Sequence, residues 1–172
     1  FVEPGPSYQE QDIAAINKLK EIKAIQSKLN IEIIAYYLPQ FHAIKENDDN
    51  WGKGFTEWRQ LPRGLPRFPG HYQPRIPRDL GFYSLDEGKM LEKQIKLAED
   101  HGISAFCYYY DWFNRKKVLY KPLDNHLNSS LSLPFLIMWA NENWTRTWDG
   151  LDKSVILRQD YKIEDENSLL SD

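Results

Sequence analysis

The chain has 172 residues, 41% of them hydrophobic and 27% charged, and a formal net charge of −3 from 22 Lys and Arg against 25 Asp and Glu. That length is one domain or part of a larger one, and the slightly acidic balance argues against nucleic acid as a partner. One cysteine, Cys107, excludes an intramolecular disulfide framework, and no apolar run approaches the roughly 18 residues that cross a membrane.

In chain order, Ser7 and Glu10 make a capping box. They predict a helix to Leu29 with Ile13, Ile16, Leu19, Ile22, Ile25 and Leu29 on a drifting stripe. Residues 1–30 therefore read as a linker and amphipathic helix, and 31–172 as one α/β unit. Ile31 to Leu38 predicts the first strand, closed by Pro39. Gln40 to Tyr83 is irregular, with five prolines and five arginines. Its aromatics, Trp51, Phe55, Trp58, Phe68, Tyr72, Phe82 and Tyr83, carry too much apolar surface to stay solvated, so it is expected to fold as an ordered cover over the sheet end.

A second capping box, Ser84 with Glu87, opens a helix whose face is Met90, Leu91, Ile95 and Ala98 and whose end is Gly102. Ile103 to Tyr110 predicts the second strand, Pro122 with Leu123 and Leu127 a short helix, and Phe135 to Trp139 the third strand. This alternation predicts parallel strands buried on both faces and joined by right-handed crossovers. All six tryptophans fall at or after strand ends, and none lies in a predicted helix.

Binding groups in parallel sheets collect beyond the carboxyl ends of the strands. Three such exits carry one kind of chemistry: Tyr37 to His42, Tyr109 to Asn114, and Trp139 through Asn141, Glu142, Trp144 and Arg146 to Trp148 and Asp149. Aromatic rings offer flat apolar faces to a pyranose, and carboxylates, amides and guanidinium groups hydrogen-bond its hydroxyls, so carbohydrate is the expected ligand. Glu142 and Asp111 are the best strand-end carboxylates and the candidate catalytic residues of this chain, expected to hold substrate hydroxyls or tune their neighbours. The four histidines lack the paired spacing of a zinc site, and no phosphate-binding glycine loop follows a strand, so neither a metal nor another cofactor is expected.

The blocks AYYLPQFH (Ala35 to His42), WGKGFTEW (Trp51 to Trp58), GHYQPRIPRDLGFY (Gly70 to Tyr83), YYYDWFN (Tyr108 to Asn114), KPLD (Lys121 to Asp124) and WANENWTRTWDG (Trp139 to Gly150) resemble the WbsX-like group, which is related to glycoside hydrolase family 99. The resemblance spans Ile33 to about Tyr161. It implies the N-terminal portion of a (β/α)8 barrel with a long first βα loop, truncated at its C-terminus. It further implies a protein linked to lipopolysaccharide or other surface-polysaccharide biosynthesis, glycoside hydrolase-like, in a fusion with a glycosyltransferase or other domain. The alternative is a non-catalytic glycan-recognition domain attached to a glycosyltransferase.

Residues on matching blocks and implied in substrate binding are Tyr37, His42, Trp51, Trp58, His71, Tyr72, Tyr110, Trp112, Trp139, Asn141, Trp144 and Arg146. The related hydrolases carry their acid/base pair on a Glu-Trp-x-Glu motif. Here Glu57-Trp58 is followed by Arg59 and Gln60, which places that pair downstream. With no secretory signal, a cytoplasmic location is favoured.

Overall fold

The computed structural model describes residues 8–147 and 150–160. Ser7, Trp148 and Asp149 lie outside the described residues, as does 161–172. The elements are α1 (Tyr8–Leu29), β1 (Ile34–Tyr37), α2 (Lys45–Trp51), a 3-10 helix (Glu57–Arg63), α3 (Gly88–Asp100), β2 (Ala105–Phe113), β3 (Lys116–Val118), α4 (Lys121–Leu127), β4 (Phe135–Trp139), β5 (Trp144–Arg146) and β6 (Leu151–Leu157).

The sheet is built on β2. Strand β1 runs parallel along one edge, from Ile34 opposite Ala105 to Tyr37 opposite Tyr108. Strand β4 runs parallel along the other, from Phe106 opposite Phe135 to Tyr110 opposite Trp139. The mixed α/β organisation with parallel strands agrees with the sequence reading. Among the described residues, however, the sheet is open, with no closure into a barrel.

Alternation along the strands sorts the side chains. Tyr37, Phe106, Tyr108, Tyr110 and Phe135 face Leu91 and Ile95 of α3 and Leu123 of α4, forming the main core. Tyr108 is completely buried, and its hydroxyl meets Nδ1 of buried His126 at 3.0 Å. The opposite face departs from expectation: Ile34 is 49% exposed, Tyr36 74% and Leu136 46%. A parallel sheet is covered on both faces only when elements exist on both sides. The helices of this core all pack on one.

Several boundaries move for local reasons. Strand β2 continues through Asp111, Trp112 and Phe113, which the sequence reading placed in a loop, because the chain folds back and pairs Phe113 with Lys116 and Asp111 with Val118. The turn, Asn114 and Arg115, has φ 47° and 70°, the paired positive values that a tight hairpin requires. Helix α3 begins at Gly88 rather than beside Ser84, since the Ser84 hydroxyl is held by Asp86, donating to Oδ2 at 2.7 Å and accepting from the Asp86 amide. Helix α1 forms as predicted, but its stripe is largely solvent-facing, with Ile13 60% and Ile25 55% exposed. It touches the rest through Gln26, whose side-chain amide donates to the Gly102 carbonyl at 3.0 Å, and through Asp12, which pairs with Arg78 at 3.2 Å. Gly102 has φ +81°, a conformation that favours glycine, and a Cβ there would also displace the Gln26 side-chain amide.

The long stretch after β1 is only partly a cover. Trp51 closes α2 and Trp58 lies in the 3-10 helix, so two of the six tryptophans are helical after all. Trp58 stands in a ring cluster with Phe41 at 4.4 Å, Tyr83 at 5.1 Å and Phe82 at 5.6 Å between centroids. Its indole N–H donates to the Tyr83 carbonyl at 2.8 Å, which ties the two ends of the stretch together. Between them the chain makes a surface excursion on which Phe68 is 62% and Tyr72 68% exposed. Trp58→Ala removes the clasp at both ends. It is expected to cost about 2–4 kcal/mol in urea or thermal unfolding and to turn slow tryptic cleavage at Arg63 and Arg67 into the first cleavage event.

Candidate active site

A cavity of about 170 Å3 opens at the carboxyl ends of the three parallel strands. Leu38 and Gln40 reach it from the end of β1, Tyr109, Asp111 and Phe113 from β2, and Ala140, Glu142, Asn143 and Trp144 from the chain leaving β4. Asn47, Phe55 and Glu57 close it from α2 and the segment after it. The geometry follows from strand parity. Tyr109 and Asp111 are two apart and share the face opposite the helices, while Tyr108 and Tyr110 serve the core.

Three carboxyl groups line the cavity. Burial, reinforced by the Glu142 carboxylate, pushes the Asp111 carboxyl up to about 7. Glu142 accepts a hydrogen bond from the Tyr109 hydroxyl at 3.0 Å. Glu57 accepts one from the Gln40 side-chain amide at 2.7 Å, and burial, partly opposed by that bond, pushes its pKa up. Asn143 is fixed from behind by the Gln159 amide, which donates to its Oδ1 at 2.7 Å. The Trp144 ring packs against Phe113, Val118 and Leu119, leaving part of its surface at the cavity. A buried, protonatable carboxyl beside a second carboxylate is an arrangement suited to general acid–base work.

Of the residues named from sequence, Asp111, Glu142 and Trp144 line this cavity together. Others are placed elsewhere. Tyr37 points to the helix side, donating to Gln94 of α3 and stacking on Phe106 at 4.7 Å. Tyr110 and Trp139 border a separate depression beside Leu123 and Leu127. Trp112 is fully buried, and its carbonyl accepts from the Trp139 indole at 3.2 Å. Trp51 stacks on Phe55 at 5.2 Å, one layer behind the cavity wall. Trp58 belongs to the loop clasp, His71 stacks on Phe68 at 4.5 Å in the surface excursion, and Tyr72 is exposed beside it. His42 is buried in a neighbouring cleft. Asn141 is exposed and Arg146 half-buried in β5, and neither lines the cavity.

Gln40 and Tyr109 lay within the strand exits read from sequence but were not singled out as site residues, and neither was Glu57. The signal for Tyr109 was present: choosing Asp111 on a strand selects residue 109 with it and sets 110 and 112 aside. Among the described residues no group of three or more His, Cys, Asp or Glu is placed to hold a metal ion, and no helix is long and apolar enough to cross a membrane.

The profile of a family described as glycosyltransferase WbsX matches residues 33–172, a stretch that contains every residue of this cavity. The chain belongs to the WbsX family. WbsX relatives include the uncharacterized protein WxcX of two strains of Xanthomonas campestris pv. campestris, each 46% identical over 149 residues and 86% of this chain. The chain spans 21% of the length of those relatives. No solved structure matches it.

The Asp111 environment has a measurable cost. Its folded acidity lies near 7 against about 3.9 for a free aspartate, so the unfolded chain releases this proton first. The penalty is absent below pH 4, grows as pH rises, and is complete above about 7. Asp111→Asn is therefore expected to raise the melting temperature at pH 8, by up to ~4 kcal/mol of stability, and to leave it unchanged at pH 4. Thermal melts of both proteins across that range check this.

Proposed function

We propose that this chain carries part of a carbohydrate-active site that makes or breaks glycosidic bonds. The observation that carries the reading is the Asp111–Glu142 pair in one cavity, with the Asp111 carboxyl able to hold a proton at neutral pH. Glycosidic-bond chemistry needs one carboxyl that protonates a leaving oxygen and another that acts as base or nucleophile. Asp111 takes the first role. Glu142, oriented by the Tyr109 hydroxyl, takes the second. The Trp144 indole and the Gln40 and Asn143 amides supply the apolar face and directional donors that hold a sugar ring.

The substrate class is an oligo- or polysaccharide such as a bacterial surface glycan, and the family description favours transfer to a sugar hydroxyl over transfer to water. No cofactor enters the proposed chemistry. A second reading rests on the missing Glu-Trp-x-Glu motif. In it, a downstream glutamate pair does the chemistry, or none does, and the same cavity holds sugar hydroxyls as a recognition site.

We also propose that residues 31–172 form the N-terminal portion of a (β/α)8 barrel. The parallel order of β1, β2 and β4 supports this, as does an uncovered face, Tyr36 and Leu136 included, of the kind that later strands would line.

Kinetics of the full-length protein on a matching glycan separate the readings. With Asp111 as acid, kcat/KM is expected to fall as pH rises through about 7, and Asp111→Asn and Glu142→Gln each to lower kcat by roughly 100-fold or more while the fold survives. Changes in KM alone would assign both residues to recognition.

A further inference from the structure

A cleft of about 340 Å3 shares Leu119 with the carboxylate cavity and has the opposite character. In a chain of net charge −3, its lining contains Lys45, Lys116, Lys117 and Lys121 against a single carboxylate, Glu46. The lysines come from two distant segments, the start of α2 and the β3–α4 region, so the fold rather than a charge run assembles them.

His42 also lines this cleft; it is 0% exposed, and the Pro39 carbonyl can serve only one of its two ring nitrogens, leaving the other without a partner. A buried polar group without a partner is costly and marks a place where an absent partner belongs. Burial is the strongest influence on the ring and disfavours its charge, as does Lys121, while Asp86 and the Pro39 carbonyl favour a proton.

The lysines are held for exchange rather than locked. Lys45 pairs with Asp49, Lys116 with Glu46, and Lys121 with Asp86 at 2.8 Å, and each of these lysine side chains is at least 47% exposed. Pairs this open contribute little and yield readily to a stronger anion. Lys117 takes part in no ion pair among the described residues.

We propose that this cleft binds a diphosphate group. Four ammonium groups, each a compact charge with three donors, match an anion with several oxygens spread over two centres. A lone carboxylate is better met by the planar fork of arginine, and no arginine lines the cleft. The His42 nitrogen that the Pro39 carbonyl does not serve donates to one oxygen once it is protonated, a state that the diphosphate charge favours. The carboxylate cavity shares the Leu119 wall with this cleft, so the two sites are neighbours. The proposal stands on the cleft alone and survives even if the carboxylates prove non-catalytic.

Calorimetric titration of the full-length protein with inorganic pyrophosphate, UDP and an isoprenyl diphosphate in micelles provides the test, with sulfate at matched ionic strength as control. Pyrophosphate is expected to bind, weakening as salt rises, and Lys117→Gln and Lys121→Gln are each expected to weaken it about tenfold without lowering the melting temperature. The His42 ring resonances, read by NMR in the unmodified protein, are expected to shift on saturation. Tighter binding of UDP identifies a nucleotide donor, tighter binding of the isoprenyl compound a lipid carrier, and equal binding recognition of the diphosphate itself; each supports the site. Sulfate binding as tight as pyrophosphate, undiminished binding in the Lys117→Gln Lys121→Gln double variant, or no binding at millimolar pyrophosphate overturns it.

Discussion

Strand β2 is paired along both edges, and that single constraint determines what each of its side chains does. Parallel partners fix its register at Ile34 to Ala105 on one side and Phe135 to Phe106 on the other. Once the register is fixed, alternate residues cannot exchange faces without moving the whole sheet. Phe106, Tyr108 and Tyr110 must then meet the helices, and Tyr109 and Asp111 must meet the cavity. The same alternation explains how one run of three tyrosines supplies a core hydroxyl to His126 and a site hydroxyl to Glu142.

The cavity has its properties because it lies where regular pairing stops. Backbone pairing of β2 with β4 ends at Tyr110 and Trp139, and the Ala140 amide still donates to the Tyr110 carbonyl at 2.8 Å. The strands are thus held together up to the point where the carboxyl groups emerge. Asp111 is anchored there by a further pairing with Val118 of β3. Its place on paired backbone sets the carboxyl among the cavity walls and beside Glu142, and that burial and neighbouring charge push its pKa up.

Much of this was legible in the sequence, and what was not has a physical cause. The apolar runs Ile103 to Tyr110 and Phe135 to Trp139, the Leu91 and Ile95 face, and Pro122 at a first turn located parallel strands and helices, because those signals are local, whereas the Ser84 capping box misplaced the start of α3. The run from Trp139 into Asn143 and Trp144 indicated a strand end with chemistry. The β2–β3 hairpin was hidden since Asn114-Arg115 is not a glycine turn, and β5 with β6 because Trp144 to Arg146 looked like loop. Tyr37, Tyr110, Trp112 and Trp139 stand on the strand face opposite to Asp111, as alternation requires of about half of such residues. Glu57 could not be found from spacing. Its place depends on how the stretch between β1 and α3 folds back over the sheet.

That fold-back divides the cavity between two kinds of scaffold. Asp111 and Glu142 stand on or beside strands whose pairing the core enforces, whereas Asn47, Phe55 and Glu57 stand on a stretch clasped to the sheet chiefly by rings and the Trp58 indole. Substitution in the second wall leaves every strand pair in place. The architecture therefore lets one wall of the cavity change shape while Asp111 and Glu142 keep their places, a modular separation of the cavity's contour from its charge.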